Sequence, residues 1–170
     1  MTTHPATTVH ALIAQHYDLP APLAVKFLRA YTNDVYEVTT ARDRYVLKMY
    51  GAAWRTRSEL RYEVELLHHL DASGVPVALP VVARDGDPVQ THHIGDGERH
   101  MMLFAWAPGD KPAPPFLPEL YAAEGRAIAA FHAASDDFVS DHARPALDTR
   151  YLVDEPMAVI LGHLADPASA

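Results

Sequence analysis

The hydrophobic period of this chain changes from two to about 3.6 residues, and that change limits what it can fold into. Between residues 24 and 50 the sequence runs "AVKFLRA" (24–30), "YTND", "VYEVTT" (35–40), "ARDR" and "RYVLKMY" (44–50). Side chains alternate across a strand, so these segments predict three strands joined by short turns, an antiparallel meander. From residue 56 the period becomes helical. "TRSELRYEVELLHHLDASG" carries Leu60, Val64, Leu67 and Leu70 on one stripe, with Gly74 as a stop signal. "PVVARDGD" reads as a strand running into a turn, and "DPVQTHH" as a short strand. "GDGE" closes a hairpin onto the strongly apolar "RHMMLFAW" (99–106). A first helix is expected over 7–17, with Val9, Leu12, Ile13 and His16 on one face and Pro20 and Pro22 ending it. After the proline-rich stretch 107–118 the pattern is helical only, over 119–135 and in parts of 148–164. The order predicts an α+β fold: a five-stranded antiparallel sheet with one inserted helix, a linker, then helices.

Composition bounds the function. Hydrophobic residues make up 49% of the 170, enough for a packed core. The formal net charge of −8 argues against a general nucleic-acid or anionic-membrane binder. The absence of cysteine excludes disulfides, cysteine nucleophiles and thiolate metal sites. No 18-residue apolar run is present, and "MTTHPATTVHALIAQHYD" lacks the features of a signal peptide, so a cytoplasmic location is expected.

Lys48 stands inside the third strand segment. Val46, Lys48 and Tyr50 fall on one face; Tyr45, Leu47 and Met49 fall on the other. Lysine is depleted in strands and is seldom buried without a partner. Two readings are open: an edge strand whose lysine points to water, or a lysine held in a cleft to meet an anion. The following helix offers Glu59, Glu63 and Glu65, and Glu63 lies beside the apolar stripe, where its carboxylate can reach the sheet edge. A strand lysine fixed by a helix glutamate is how kinase-like folds hold an ammonium against nucleotide phosphates. The alternative is a helix glutamate that meets nothing in particular.

The stretches "YTNDVYEV", "RYVLKMY", "YEVELLHHLDASGVPV", "MMLFAWAPG" and "GRAIAAFHA" recur here in an order and spacing that resemble the aminoglycoside phosphotransferase and homoserine/choline-kinase-like family, a branch of the protein-kinase-like fold. The resemblance covers about residues 24–160 and corresponds to the N-terminal part of that fold. It implies a nucleotide-binding N-lobe over 1–106, a hinge over 107–118 and the start of an incomplete helical C-lobe over 119–170. It also implies ATP and Mg²⁺ as cofactors and a small-molecule hydroxyl as substrate. By this resemblance Lys48 contacts phosphate and Glu63 is its partner. The turn at Tyr31–Asp34 covers the phosphates, with Asn33 matching an asparagine of that loop. "FAWAPG" is the hinge, where backbone groups of Ala105 and Ala107 meet the adenine edge, and Val46 and Leu103 wall the adenine slot. One departure is plain: "RAYTND" has no glycine where relatives carry one or two, and glycine lets backbone approach phosphate closely.

Phosphoryl transfer needs a base for the acceptor hydroxyl and ligands for the metal. The family carries them in an H-G-D-x-x-x-x-N segment and a later acidic segment, and this sequence contains neither. "HLD" (69–71) and "DGD" (85–87) precede the hinge, and "SDDF" and "SDHA" lack the asparagine. No catalytic residue and no metal ligand is therefore assigned in this chain. It is expected to be the ATP-binding half of a kinase, inactive alone, with a complementary C-lobe chain as a candidate partner. Two alternatives remain: a non-catalytic nucleotide-binding or protein-interaction module, and an inert truncated product.

Other patterns are weaker. His92, His93 and His100 suggest a metal, but adjacent strand residues point to opposite faces. His132 is expected to pack inside the second lobe, His68 and His69 to lie on the surface or flank of their helix, and Trp106 to line the cleft or pack between lobes. No P-loop, dinucleotide motif or nucleophile elbow is present.

Overall fold

The alternating segments pair as the meander requires. The computed structural model of the chain describes residues 4–21, 23–94 and 97–165. In it, β1 (Ala24–Ala30), β2 (Asn33–Thr39) and β3 (Arg44–Tyr50) are consecutive antiparallel neighbours. The hairpin of β4 (Gln90–Ile94) and β5 (Gly97–Ala105) adds beyond β3 and gives one five-stranded sheet in the order β1-β2-β3-β5-β4. The helices are α1 (Ala6–His16), α2 (Arg57–Ala72), α3 (Pro118–Ser135) and α4 (Glu155–Ala165), the last entered through a π-helical turn at Arg150–Asp154. The predicted α+β class holds.

Alternation gives the sheet two unlike faces. Tyr36, Val38, Leu47, Met49, Met101 and Leu103 share one, and α1 lays Val9, Leu12 and Ile13 against it. Tyr50, Met102 and Phe104 share the other, packed against Leu60 of α2 with Val64 and Leu67 at the margin. The apolar contacts of α2 are thus with the β3–β5 side. Toward β2, on the same face, Val35, Glu37, Val46 and Lys48 remain half-buried.

Local chemistry sets the ends of α2. Thr56 caps it: its hydroxyl accepts from the Glu59 N–H, and the Glu59 carboxylate accepts from the Thr56 N–H in return. At the other end Gly74 takes φ +79°, which only glycine adopts freely, and the Val75 N–H reaches back to the Leu70 carbonyl.

Several expectations change. The segment at 80–87 is not a sheet strand. Pro80 cannot donate to a ladder, and the contact reduces to a single bridge to Phe104, flanked by Val81 N–H to Leu103 O and Ala105 N–H to Leu79 O. The turn expected at Tyr31–Asp34 shortens to Tyr31 and Thr32, because Asn33 and Asp34 already pair with Tyr50 and Met49. Helix α1 ends at His16, before Pro20, where Tyr17 turns extended. His132 is exposed, not packed. Pro22 and the hairpin tip Gly95–Asp96 lie outside the described residues.

Candidate functional site

Lys48 sits mid-strand on β3, between Val35 of β2 and Met102 of β5. Both strand edges are paired, so the edge-strand reading fails. Its Nζ lies 3.5 Å from Glu63 Oε1, with the two side chains 36% and 23% exposed. The ammonium also stands over the Phe104 ring, 4.4 Å from its centroid. The Tyr50 hydroxyl donates to the same Glu63 oxygen at 3.4 Å. Burial, and then the Glu63 charge, push that hydroxyl well above its ordinary pKa, so it remains a donor. Glu63 is therefore held from two sides, and Lys48 is held by an acid and a ring.

The register groups the other residues by face, because directly paired residues point the same way. Asn33, Val35 and Glu37 of β2 and Val46 of β3 share the Lys48 face. The Oδ1 of Asn33 is buried and accepts no hydrogen bond among the described residues. Leu103 does not belong with them. It pairs with Leu47, is fully buried and packs in the α1-side core. Counting from the Lys48–Met102 pair, the side chains that β5 presents to this face are Met102 and Phe104. A one-residue difference flips the face.

At the end of β5 the Ala105 N–H is bonded to Leu79 O, and the Trp106 N–H continues the ladder to Arg44 O. Ala107 makes no backbone hydrogen bond among the described residues. Trp106 is stacked under the Arg44 guanidinium at 3.6 Å, and Arg44 is forked onto Glu37 at 2.7 and 2.9 Å.

Sequence reasoning missed the most deeply buried ion pair. Arg99 and Asp34 are each 2% exposed and meet at 3.0 Å on the α1 face. Arg99 also donates to the carbonyls of Tyr50 at 2.8 Å and Met49 at 3.3 Å. One guanidinium thus joins the start of β2 to the end of β3, directly behind Asn33 and Lys48. A signal was present: Arg99, Met101 and Leu103 alternate on one apolar face, and an arginine there requires a carboxylate.

The histidines are dispersed. His92 and His16 meet edge to face at 4.6 Å, and burial, followed by His16 and His93, holds His92 below its ordinary pKa. His69 ties α2 to the end of α3 through the Ala134 carbonyl at 2.7 Å and Asp137 at 3.2 Å. Among the described residues no group of three His, Asp or Glu is placed to hold a metal ion. A cavity of about 720 Å³ opens between the α2 N-terminus and the β4–β5 hairpin, lined by Arg55, Thr56, Arg57, Thr91 and His100, and neither Lys48 nor Glu63 reaches it.

Residues 24–166 match a family model described as the phosphotransferase enzyme family. The chain belongs to that family. An uncharacterised protein of Synechocystis is 34% identical to this phosphotransferase-family chain over 149 residues, 88% of this chain and 41% of that protein. The solved structure of a microcompartment-associated aminopropanol kinase superposes with a TM-score of 0.75 at 24% identity, covering 88% of this chain and 47% of its own. That of an amicoumacin kinase in complex with AMP-PNP, Ca²⁺ and Ami gives 0.76 at 22% identity, covering 94% and 51%. These two structures establish the kinase-like fold. The phosphotransferase-family chain spans about half the length of these proteins or less. None of its described helices is long and apolar enough to cross a membrane.

Proposed function

We propose that this chain is the nucleotide-holding part of an ATP-dependent small-molecule kinase. One observation carries the reading: Lys48 and Glu63 meet on a half-open sheet face beside Val46 and Phe104. An ion pair this exposed contributes about 0–1 kcal/mol to stability. Its value lies in holding a flexible cation still, so that binding phosphate carries little ordering cost.

The division follows: an N-lobe over 1–106, a hinge over 107–118 and a helical portion over 119–170. The free Ala107 N–H and the Ala105 carbonyl meet the adenine edge. Val46 and the Phe104 ring under Lys48 wall the slot. Asn33 follows the Tyr31–Thr32 turn that covers the phosphates. Among the described residues no ligand group is assembled that would hold Mg²⁺. The catalytic base and metal ligands belong to sequence beyond these 170 residues, or to a complementary chain that covers α3 and α4. The acceptor hydroxyl is read there, not here.

A second reading, a protein-interaction module without nucleotide, draws on the exposed Ile128, Val159 and Leu161 of α3 and α4. Calorimetric titration with ATP separates the two. The wild-type chain is expected to bind, Lys48→Ala to bind at least tenfold more weakly, and neither to turn ATP over. Equal absence of binding in both forms favours the interaction module, and robust turnover by the wild type refutes the assignment of catalysis elsewhere.

A further inference from the structure

We propose that Arg29 is a second phosphate-binding cation of this site, supplying by charge what a glycine-bearing turn supplies by close backbone approach. This assignment rests on the nucleotide reading above. The covering turn, Tyr31–Thr32, has no glycine, so its backbone is less free to wrap an anion.

The strand before it is irregular. Phe27 pairs with Tyr36 on the α1 face, and its ring meets the Tyr36 ring at 5.5 Å. Strict alternation would return Arg29 to that face. A bulge at Leu28 instead pairs Arg29 with Val35, and so turns the guanidinium to the Lys48 side. Arg29, Val35 and Lys48 then form one row across β1, β2 and β3. Two strand spacings separate the cations' backbones, roughly 10 Å. Two long side chains converging across that gap can hold a phosphate chain between them.

Charge on this face agrees. Strands β1–β3 present Lys26, Arg29, Arg44 and Lys48, against Glu37 and the Glu63 of α2. Arg44 holds Glu37 at 2.7 Å and Lys48 meets Glu63 at 3.5 Å. Lys26 lies opposite Glu37. Arg29 has no ion pair or hydrogen bond among the described residues, on a chain whose net charge is −8. Guanidinium offers phosphate a planar, two-pronged donor that stays charged at every working pH.

The test is a calorimetric series of adenosine, ADP and ATP against the wild-type chain, Arg29→Ala, Arg29→Lys and Arg42→Ala, the last an exposed cation in the β2–β3 turn. The affinity gained from adenosine to ATP is expected to fall about tenfold in Arg29→Ala, the scale of one charge-assisted contact. It should fall less in Arg29→Lys and stay unchanged in Arg42→Ala, with adenosine binding equal in all four. An unaltered gain in Arg29→Ala overturns the assignment and leaves the nucleotide reading standing. Loss of adenosine binding in that variant makes Arg29 structural and also overturns it. A wild type that binds no ATP overturns both readings.

Discussion

The sheet region and the helical region after it are both rich in apolar residues, yet only the first buries them. Val9, Ile13, Leu47, Met49, Leu60 and Leu103 are all at 0% exposure. In α3 no residue is buried; Ile128 is 49% exposed, and in α4 Leu161 is 57% exposed. The difference is architectural. A sheet with a helix on each face closes its own core from local and meander contacts. Helices α3 and α4 have no sheet to lie on. Contacts from α2 and the segment just before it hold α3, the loop after it and the turn that enters α4: His69 with Ala134 O, Glu65 with Ser140, and Arg55 with Tyr151 at 3.3 Å. Apolar composition shows that a surface is suited to burial; the number of layers available decides whether it is buried.

The sharpest way to break this contrast is Arg99→Met. It strands the Asp34 carboxylate and two carbonyls in a sealed site, and should cost about 3–5 kcal/mol, read as the urea midpoint. A loss under 1 kcal/mol would show that the sheet region does not depend on its buried pair. Next comes a matched comparison. Leu47→Ala should cost about 2–5 kcal/mol, and Ile128→Ala no more than about 0.5 kcal/mol. Similar losses at both positions would erase the distinction between a closed and an open core.

The smallest effect concerns the cap of α2, on which Glu63 rides. Thr56→Ala should cost about 1 kcal/mol. Burial raises the Glu59 pKa, but the Thr56 hydrogen bonds and then Arg55 outweigh it, so the carboxyl titrates below its ordinary value. A depressed carboxylate stabilises the fold above its ordinary range, and that contribution fades as pH falls through the depressed value. The stability gap between wild type and Glu59→Gln should therefore shrink on acidification. A gap independent of pH would remove the charge from the cap.

Much of this was legible in the sequence because the signals are local. Three alternating runs, the Leu60–Leu70 stripe, Thr56 and Gly74 each specify a strand, a helix or an end within a few residues. Lys48 and Glu63 were legible for the same reason: both lie beside strong periodic patterns. Leu103, Asp34 and Arg29 were not. Each depends on a pairing between distant segments. The β3–β5 register turns Leu103 inward, a partner 65 residues away neutralises Asp34, and a bulge turns Arg29 about.

What the sequence determined by itself is the order and kind of elements, since periodicity is a property of neighbouring residues. Only the tertiary structure decided which face of each strand is closed by α1 and which stays half-open beside Lys48. Facing depends on register, and register is settled between strands rather than within them.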